Sequence, residues 1–522
     1  MRQRTRLIVN SLANTAARVV AFAVRFLLVP FMIGVMGREH YGVWIVLGQI
    51  FAYTRILDMG LRSAIGREVA LRLSTAEPDR INRYVNTAAA YYSVAGLLIV
   101  VMTGIVAYFF PDWFDVEPQY RWASRIMVIC CGLAMAGLIP QNAYGAVVSG
   151  LQRYDILSGL QILVAIFRAV LIFALLERLG VGGGLILVAA VEGGTRLAGA
   201  VAGTLAALRL CPPVKWQPWC ADRSLLRDML SFGINSVVFM MALTVGSQLA
   251  QILIGAYMST AQAADFSVAL MFLVAGHSFV VMFGISTRVV ASKFEGENNV
   301  KAIRHLLLRS SLYSGLMSVA GVVMMLLFAD ALLRLWVGGT YAGPGGALAL
   351  ERITGTFRIL AIGYGLFWIV LPAYNVVNGM GRHRFPAIVA VASGVISMVL
   401  VAIVVSATGA TIELVAWAVI VPMIPAWGLI LPWYCCKEVG QPLGRFVWEG
   451  FGIPALTCLP MALAAFIFNY WYPATGWGAL LGQLSCCGMI LLSVAWLFAV
   501  APDDRRYAVD SVRGLLRRLK GN

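Results

Sequence analysis

Apolar runs of about 20 residues, separated by short polar joints, recur along this chain from end to end. Few folds accommodate such a pattern. In hydrocarbon every backbone N–H and C=O must be satisfied within the protein, which leaves α-helices or closed β-barrels. Runs of about 20 residues suit helices crossing an apolar core about 30 Å thick, whereas barrel strands need only about 10. An all-α polytopic membrane protein is therefore expected. Hydrophobic residues make up 60% and charged residues 12% of the 522 positions, against about 25% charged in an ordinary soluble domain. No sizeable soluble domain fits in what remains.

Spans are expected at 7–35, 41–61, 84–110, 123–149, 157–178, 185–208, 230–258, 263–287, 310–333, 353–378, 386–406, 412–434, 451–471 and 479–500, about 14 helices in all. The stretch Val147-Val148-Ser149-Gly150-Leu151-Gln152-Arg153 returns as Val376-Val377-Asn378-Gly379-Met380-Gly381-Arg382, six spans later and in the same orientation. Gly and Arg are also favoured at helix ends for local reasons. Read as a repeat, the pattern implies two parallel six-helix bundles around a central cavity near the midplane. The expected organisation is an N-terminal bundle over 1–208, a cytoplasmic linker over 209–229 containing Pro212, Pro213 and Pro218, and a second bundle over 230–434. Two additional helices over 435–500 and a basic tail over 501–522 follow.

A net charge of +16 raises the question of nucleic acid, which would require basic residues gathered on a soluble face. Here they sort by loop. About 28 basic residues fall on one side of the expected spans and about five on the other, so the positive-inside rule places both termini in the cytoplasm. Ala21-Phe22-Ala23 imitates a signal-peptidase site, but Arg18 and Arg25 flank it and the apolar run continues, so an uncleaved first span is expected. The nine cysteines show no C-x-x-C spacing and fall in spans or on the cytoplasmic side, which favours neither zinc nor disulfides.

Six arginines interrupt the spans themselves: Arg18, Arg25, Arg55, Arg168, Arg196 and Arg358. An ionised side chain there costs roughly 2.5 to 3.5 kcal/mol on the most lenient scale. Arg18 and Arg25 are two helical turns apart on one face; Arg55, Asp58 and Arg62 follow i, i+3, i+7 spacing and are expected on another single face; Glu192 and Arg196 are one turn apart. Within the spans arginines outnumber carboxylates, so pairing leaves a net positive cavity, and the guanidinium fork suits phosphate or carboxylate. No lysine precedes Lys215. Snorkelling explains Arg62. Asp58 is a candidate partner for Arg55 or a proton or sodium site, Glu192 a candidate charge partner, and Trp368 and Tyr374 candidate rings for stacking on sugar. Enzyme signatures are missing: no G-x-S-x-G, H-E-x-x-H or P-loop occurs and the four histidines are scattered. Neither a catalytic residue, a metal nor a bound cofactor is implied, and transport would draw on an H+ or Na+ gradient or on substrate binding.

Taken together, several segments resemble the oligosaccharide-lipid flippases of the polysaccharide transporter family, often called Wzx-type, within the superfamily that includes multidrug and toxin extruders and the lipid II flippase. The residues carrying the likeness are Gly37 to Trp44 with Tyr41-Gly42, Leu57-Asp58-Met59-Gly60-Leu61, Ser149 to Arg153, and Asn378 to Arg384. The resemblance implies a polyprenyl-pyrophosphate-linked oligosaccharide as substrate, moved across a bacterial inner membrane, with membrane lipids, a polysaccharide polymerase and chain-length proteins as partners and no nucleic acid. It also implies a groove for the lipid tail at the two additional helices. Ala250 stands where many members carry an Asp, which puts coupling through that position in doubt. A multidrug extruder of the same fold is the nearest rival and a membrane-embedded glycan polymerase or ligase the next.

Overall fold

The computed structural model describes residues 3–72, 78–506 and 510, so most of the basic tail expected at 501–522 lies outside the described residues. Among these residues the chain is helical throughout, with no strand. It divides into two compact units, Met1–Val268 with Val405–Ala410 and Ala269–Val404 with Thr411–Asn522. Eleven helical segments among the described residues are long and apolar enough to cross a membrane. One of them, Asn10–Asp58, takes in both of the first two expected spans.

In the first unit α1 (Gln3–Ala52), α2 (Leu61–Arg72), α3 (Pro78–Trp113), α4 (Arg121–Gly150), α5 (Tyr154–Leu175), α6 (Gly180–Leu210) and α7 (Arg223–Tyr257) follow in order. The first turns of α8 (Thr260–Gly296) complete it. A straight helix of the 50 residues in α1 would be about 75 Å long, more than twice the apolar core of about 30 Å. It does not stay straight. Gly37 takes φ 80°, ψ 163°, a conformation closed to residues with a Cβ, and breaks the rod between the two expected crossings. α4 packs against α3 and α6, while α5 lies along α1. On α3, Val94, Leu97, Leu98, Val101, Met102 and Ile105 remain exposed, as the lipid-facing side of a span must be.

The second unit holds the rest of α8, α9 (Val300–Val337), α10 (Gly346–Gly379) and α11 (Arg384–Ser406), then three further segments, Ile412–Val439, Leu443–Trp471 and Trp477–Ala499. Asn299 caps α9 through the Ala302 amide and Thr411 caps the Ile412 helix through the Leu414 amide. Each of the last three segments contains a π-helical turn, at Ala426–Ile430, Trp448–Gly452 and Ala495–Ala499. Pro422 and Pro425 precede the first and Pro454 follows the second; proline removes a helical donor and loosens the neighbouring turn.

The repeated heptapeptide closes its two helices with one geometry. At the end of α4 the Arg153 amide donates to Val148 and the Gln152 amide to Ser149, with Gln152 at φ 54°. At the end of α10 the Arg382 amide donates to Val377 and the Gly381 amide to Asn378, with Gly381 at φ 79°. Both are Schellman caps. The preceding glycine serves close packing in each copy: a Cβ on Gly150 would stand 2.8 Å from the Val69 Cβ on α2, and one on Gly379 would stand 2.5 Å from the Arg288 carbonyl oxygen on α8.

Near the Gly37 break, Arg38 Nε donates to Asp265 Oδ1 at 3.1 Å and Arg38 Nη2 donates to Oδ2 of the same carboxylate. The carboxylate is 3% exposed. Gln49 Nε2 donates to Gln251 Oε1 at 3.1 Å further along. Between these links Gly42 presses against the Thr260 backbone, where a Cβ would run into the carbonyl, whereas nothing lies within 4 Å of a Cβ on Gly48. Gly42→Ala is therefore expected to lower stability by about 1–3 kcal/mol, read as a drop in melting temperature in detergent. Gly48→Ala should melt within a degree or two of the native chain, and equal melting of the two variants would contradict this packing.

Candidate functional site

Three of the intramembrane charges meet between α5 and α6. Arg168 Nη1 donates to Glu192 Oε1 at 2.7 Å and to Oε2 at 2.8 Å, and Arg196 Nη2 donates to Oε1 of the same carboxylate. Glu192 and Arg168 are 16% and 15% exposed, Arg196 42%. One carboxylate thus serves two guanidinium groups. By count it neutralises only one of their two charges, and the Arg168 Nε is buried with no hydrogen-bond partner among the described residues.

The excess charge extends across the unit. Arg55 sits on the 3-10 turn Tyr53–Asp58 that ends α1, and its guanidinium lies in electrostatic range of Arg196 and of Arg25. Arg18, two turns before Arg25 on the same exposed face of α1, continues the row. So Arg25, Arg55, Arg168 and Arg196 share one neighbourhood with Glu192. Like charges so placed repel one another, and an anion among them would relieve that repulsion.

Asp58 takes a different place from the one its spacing suggests. The 3-10 turn, followed by left-handed Met59 (φ 47°) and Gly60 (φ 74°), breaks the single helical face expected for Arg55, Asp58 and Arg62. Asp58 instead accepts a hydrogen bond from the Tyr92 hydroxyl on α3. Arg62 lies within electrostatic range of that phenol, and its head group rests beside Gly145 on α4. The Leu57–Leu61 motif therefore acts as a helix break whose Asp fastens it to α3.

In the second unit Arg358 on α10 is exposed and its Nε donates to the Leu326 carbonyl of α9 at 3.1 Å. Trp368 and Tyr374 are both 3% exposed. Trp368 packs edge-on to Tyr364 and against Gly276, and Tyr374 against Trp427, so protein occupies the faces that were expected to stack on sugar. His277 lies against the Phe367 ring. Tyr92 and the Arg38–Asp265 pair carried no local signal: their partners are 34 and 227 residues away in sequence. Among the described residues, no three His, Cys, Asp or Glu side chains gather as a metal site.

The profile of the family described as polysaccharide biosynthesis protein matches residues 7–290, and that of MatE matches 236–403. Among solved structures, the chain is similar to the lipid II flippase MurJ in an inward closed conformation, at 12% identity and TM-score 0.70, covering 94% of this chain and 98% of that one. It is also similar to an inward-facing multidrug resistance MATE family transporter of the MOP superfamily, at 14% identity and TM-score 0.66, covering 81% and 94%. A third is a MOP superfamily transporter from Pyrococcus furiosus, described by a reverse polarity of its binding pocket, at 15% identity and TM-score 0.54, covering 83% and 93%. At these identities the likeness establishes the fold. A search of curated proteins finds no match.

Glu192 is expected to hold this arrangement together. Glu192→Ala leaves Arg168 charged and unpaired in a half-buried position, and should cost about 3 kcal/mol, measured by thermal unfolding in detergent. Replacing Arg168 and Glu192 together by Met should recover most of that loss, because an apolar pair of similar volume carries no desolvation penalty. A double variant no more stable than Glu192→Ala would show that the ion pair is not what Glu192 supplies.

Proposed function

Because the chain belongs to the polysaccharide biosynthesis protein family, we propose that it is a flippase for a polyprenyl-pyrophosphate-linked oligosaccharide, working by alternating access in the bacterial inner membrane. The observation that carries this reading is the arginine excess of the first unit, with Arg55 in the field of both Arg25 and Arg196 and a single carboxylate, Glu192, shared by Arg168 and Arg196. A pyrophosphate is a compact polyanion, and guanidinium groups offer it paired, planar donors. The polyprenyl tail has no need to enter the protein and stays in the bilayer while the head group crosses. Arg18, on the face of α1 that carries Arg25, extends the anion-binding row.

The rival reading, export of cationic drugs, requires carboxylates free to meet a cation. Glu192 is engaged by two arginines and Asp58 by Tyr92, so this charge distribution favours an anion. Asp58 and Glu192 accordingly act as internal partners, and coupling to H+ or Na+ rests on other groups. A polymerase or polysaccharide chain-length protein is the expected recipient of the flipped lipid.

Arg25→Ala and Arg55→Ala should each lower flipping by about tenfold or more, the loss expected when a charge-assisted bond to the ligand is removed. The assay is protection of a fluorescent lipid-linked oligosaccharide in proteoliposomes, with protein abundance and melting temperature matched to the native chain. Arg→Lys at either site should retain part of the activity, since charge persists without the bidentate fork. Native rates in both alanine variants would refute the mechanism.

A further inference from the structure

The segment between α6 and α7 is tightly fastened for a connection between helices. Cys211 and Val214 are buried in the hydrophobic core of the first unit. Asn82 Oδ1 accepts from the Lys215 amide at 2.8 Å, Asn86 Nδ2 donates to the Lys215 carbonyl at 2.8 Å, and Asn86 Oδ1 accepts from the Gln217 amide at 2.8 Å. Asn82 Nδ2 donates to Gln217 Oε1 at 2.7 Å, and the Asp222 amide donates to Thr87 Oγ1 at 3.0 Å. Asp222 then caps α7 through the Ser224 amide. Asn82 lies one helical turn before the adjacent Asn86 and Thr87 near the start of α3, so the segment is laid along the end of a span.

What this fastening presents outward is two indoles. Trp216 is 72% exposed and Trp219 76%, in a segment whose other side is turned into the core. Exposing two large rings to water from a fixed backbone is unfavourable, whereas the membrane–water interface accommodates both the apolar ring and its N–H. Around them, residues 79–83 and 209–228 carry six basic side chains, Arg80, Arg83, Arg209, Lys215, Arg223 and Arg227, against three acidic ones. Arg83, Arg209, Lys215, Arg223 and Arg227 are exposed.

We infer that residues 215–219 form a rigid docking edge for anionic phospholipid head groups, with Trp216 and Trp219 inserted at the interface and the surrounding basic residues meeting lipid phosphates. Juxtamembrane basic clusters favour anionic lipids in this way, and their attraction is screened by salt. The edge is separate from the arginine neighbourhood proposed to bind substrate. It would serve a chain of this fold whatever that chain transports.

The test uses the full chain in nanodiscs of phosphatidylcholine, with or without phosphatidylglycerol, in lipids brominated near the head group. Because the chain has 14 tryptophans, the signal is the difference in emission between the native chain and Trp216→Phe/Trp219→Phe, which keeps the rings apolar. The difference emission should be quenched by the bromines, at least about twofold more strongly with phosphatidylglycerol, and the excess should vanish at high salt. Red-shifted, unquenched difference emission in both lipids would overturn the proposal by placing the indoles in water, where a soluble partner rather than lipid would cover them. Equal quenching in both lipids, insensitive to salt, would overturn the anionic selectivity. Asn86→Ala, which removes the central fastening, should weaken the quenching; quenching as strong as in the native chain would refute the rigid edge.

Discussion

A charged side chain in a low-dielectric slab must be compensated nearby, and much of the first unit is arranged around that requirement. Glu192 answers two arginines at once, Asp265 is chelated by Arg38, and Asp58 is held by a phenol. Each of these acids is already engaged. What is left over is positive, spread across Arg25, Arg55 and Arg196, and it is this excess on which the proposed anion binding rests. The same requirement explains why the acids are poor candidates for free ion carriers.

Architecture was largely legible in the sequence because hydrocarbon permits so little else. Span length and the recurring V-V-x-G-x-x-R each reflect a constraint confined to one helix or its end. The recurrence at Val147 and Val376 proves to be structural: both copies form the same cap, and in both the glycine is where a neighbouring helix approaches. Helix bends were legible only in part. Proline stands within two residues of the first two π-helical turns, whereas the nearest to Ala495–Ala499 is Pro502, beyond the end of that helix.

The candidate site was less legible, for a physical reason. Helical spacing finds pairs such as Glu192 and Arg196 because they lie on one turn, but Arg168 joins them from another helix and Arg38 reaches Asp265 across 227 residues. Spacing also fails where the helix itself fails. Arg55, Asp58 and Arg62 read as one face only if 53–62 is a continuous α-helix, and the left-handed Met59 and Gly60 end it. Aromatic side chains gave the weakest guidance, since Trp368 and Tyr374 have the same composition whether they line a cavity or, as here, fill a core.

The break in α1 also bears on how this chain's orientation could be mapped. Only Gly37 leaves helical conformation between the two expected crossings, so the first hairpin has no loop in which to insert an epitope or for a protease to enter. A reporter there must be a single small adduct, and Glu39, exposed one residue beyond Arg38, is a position where a thiol could be introduced without disturbing either the glycine or the arginine. Reagents that read topology through long accessible segments would pass over this turn and miss both of the crossings expected there.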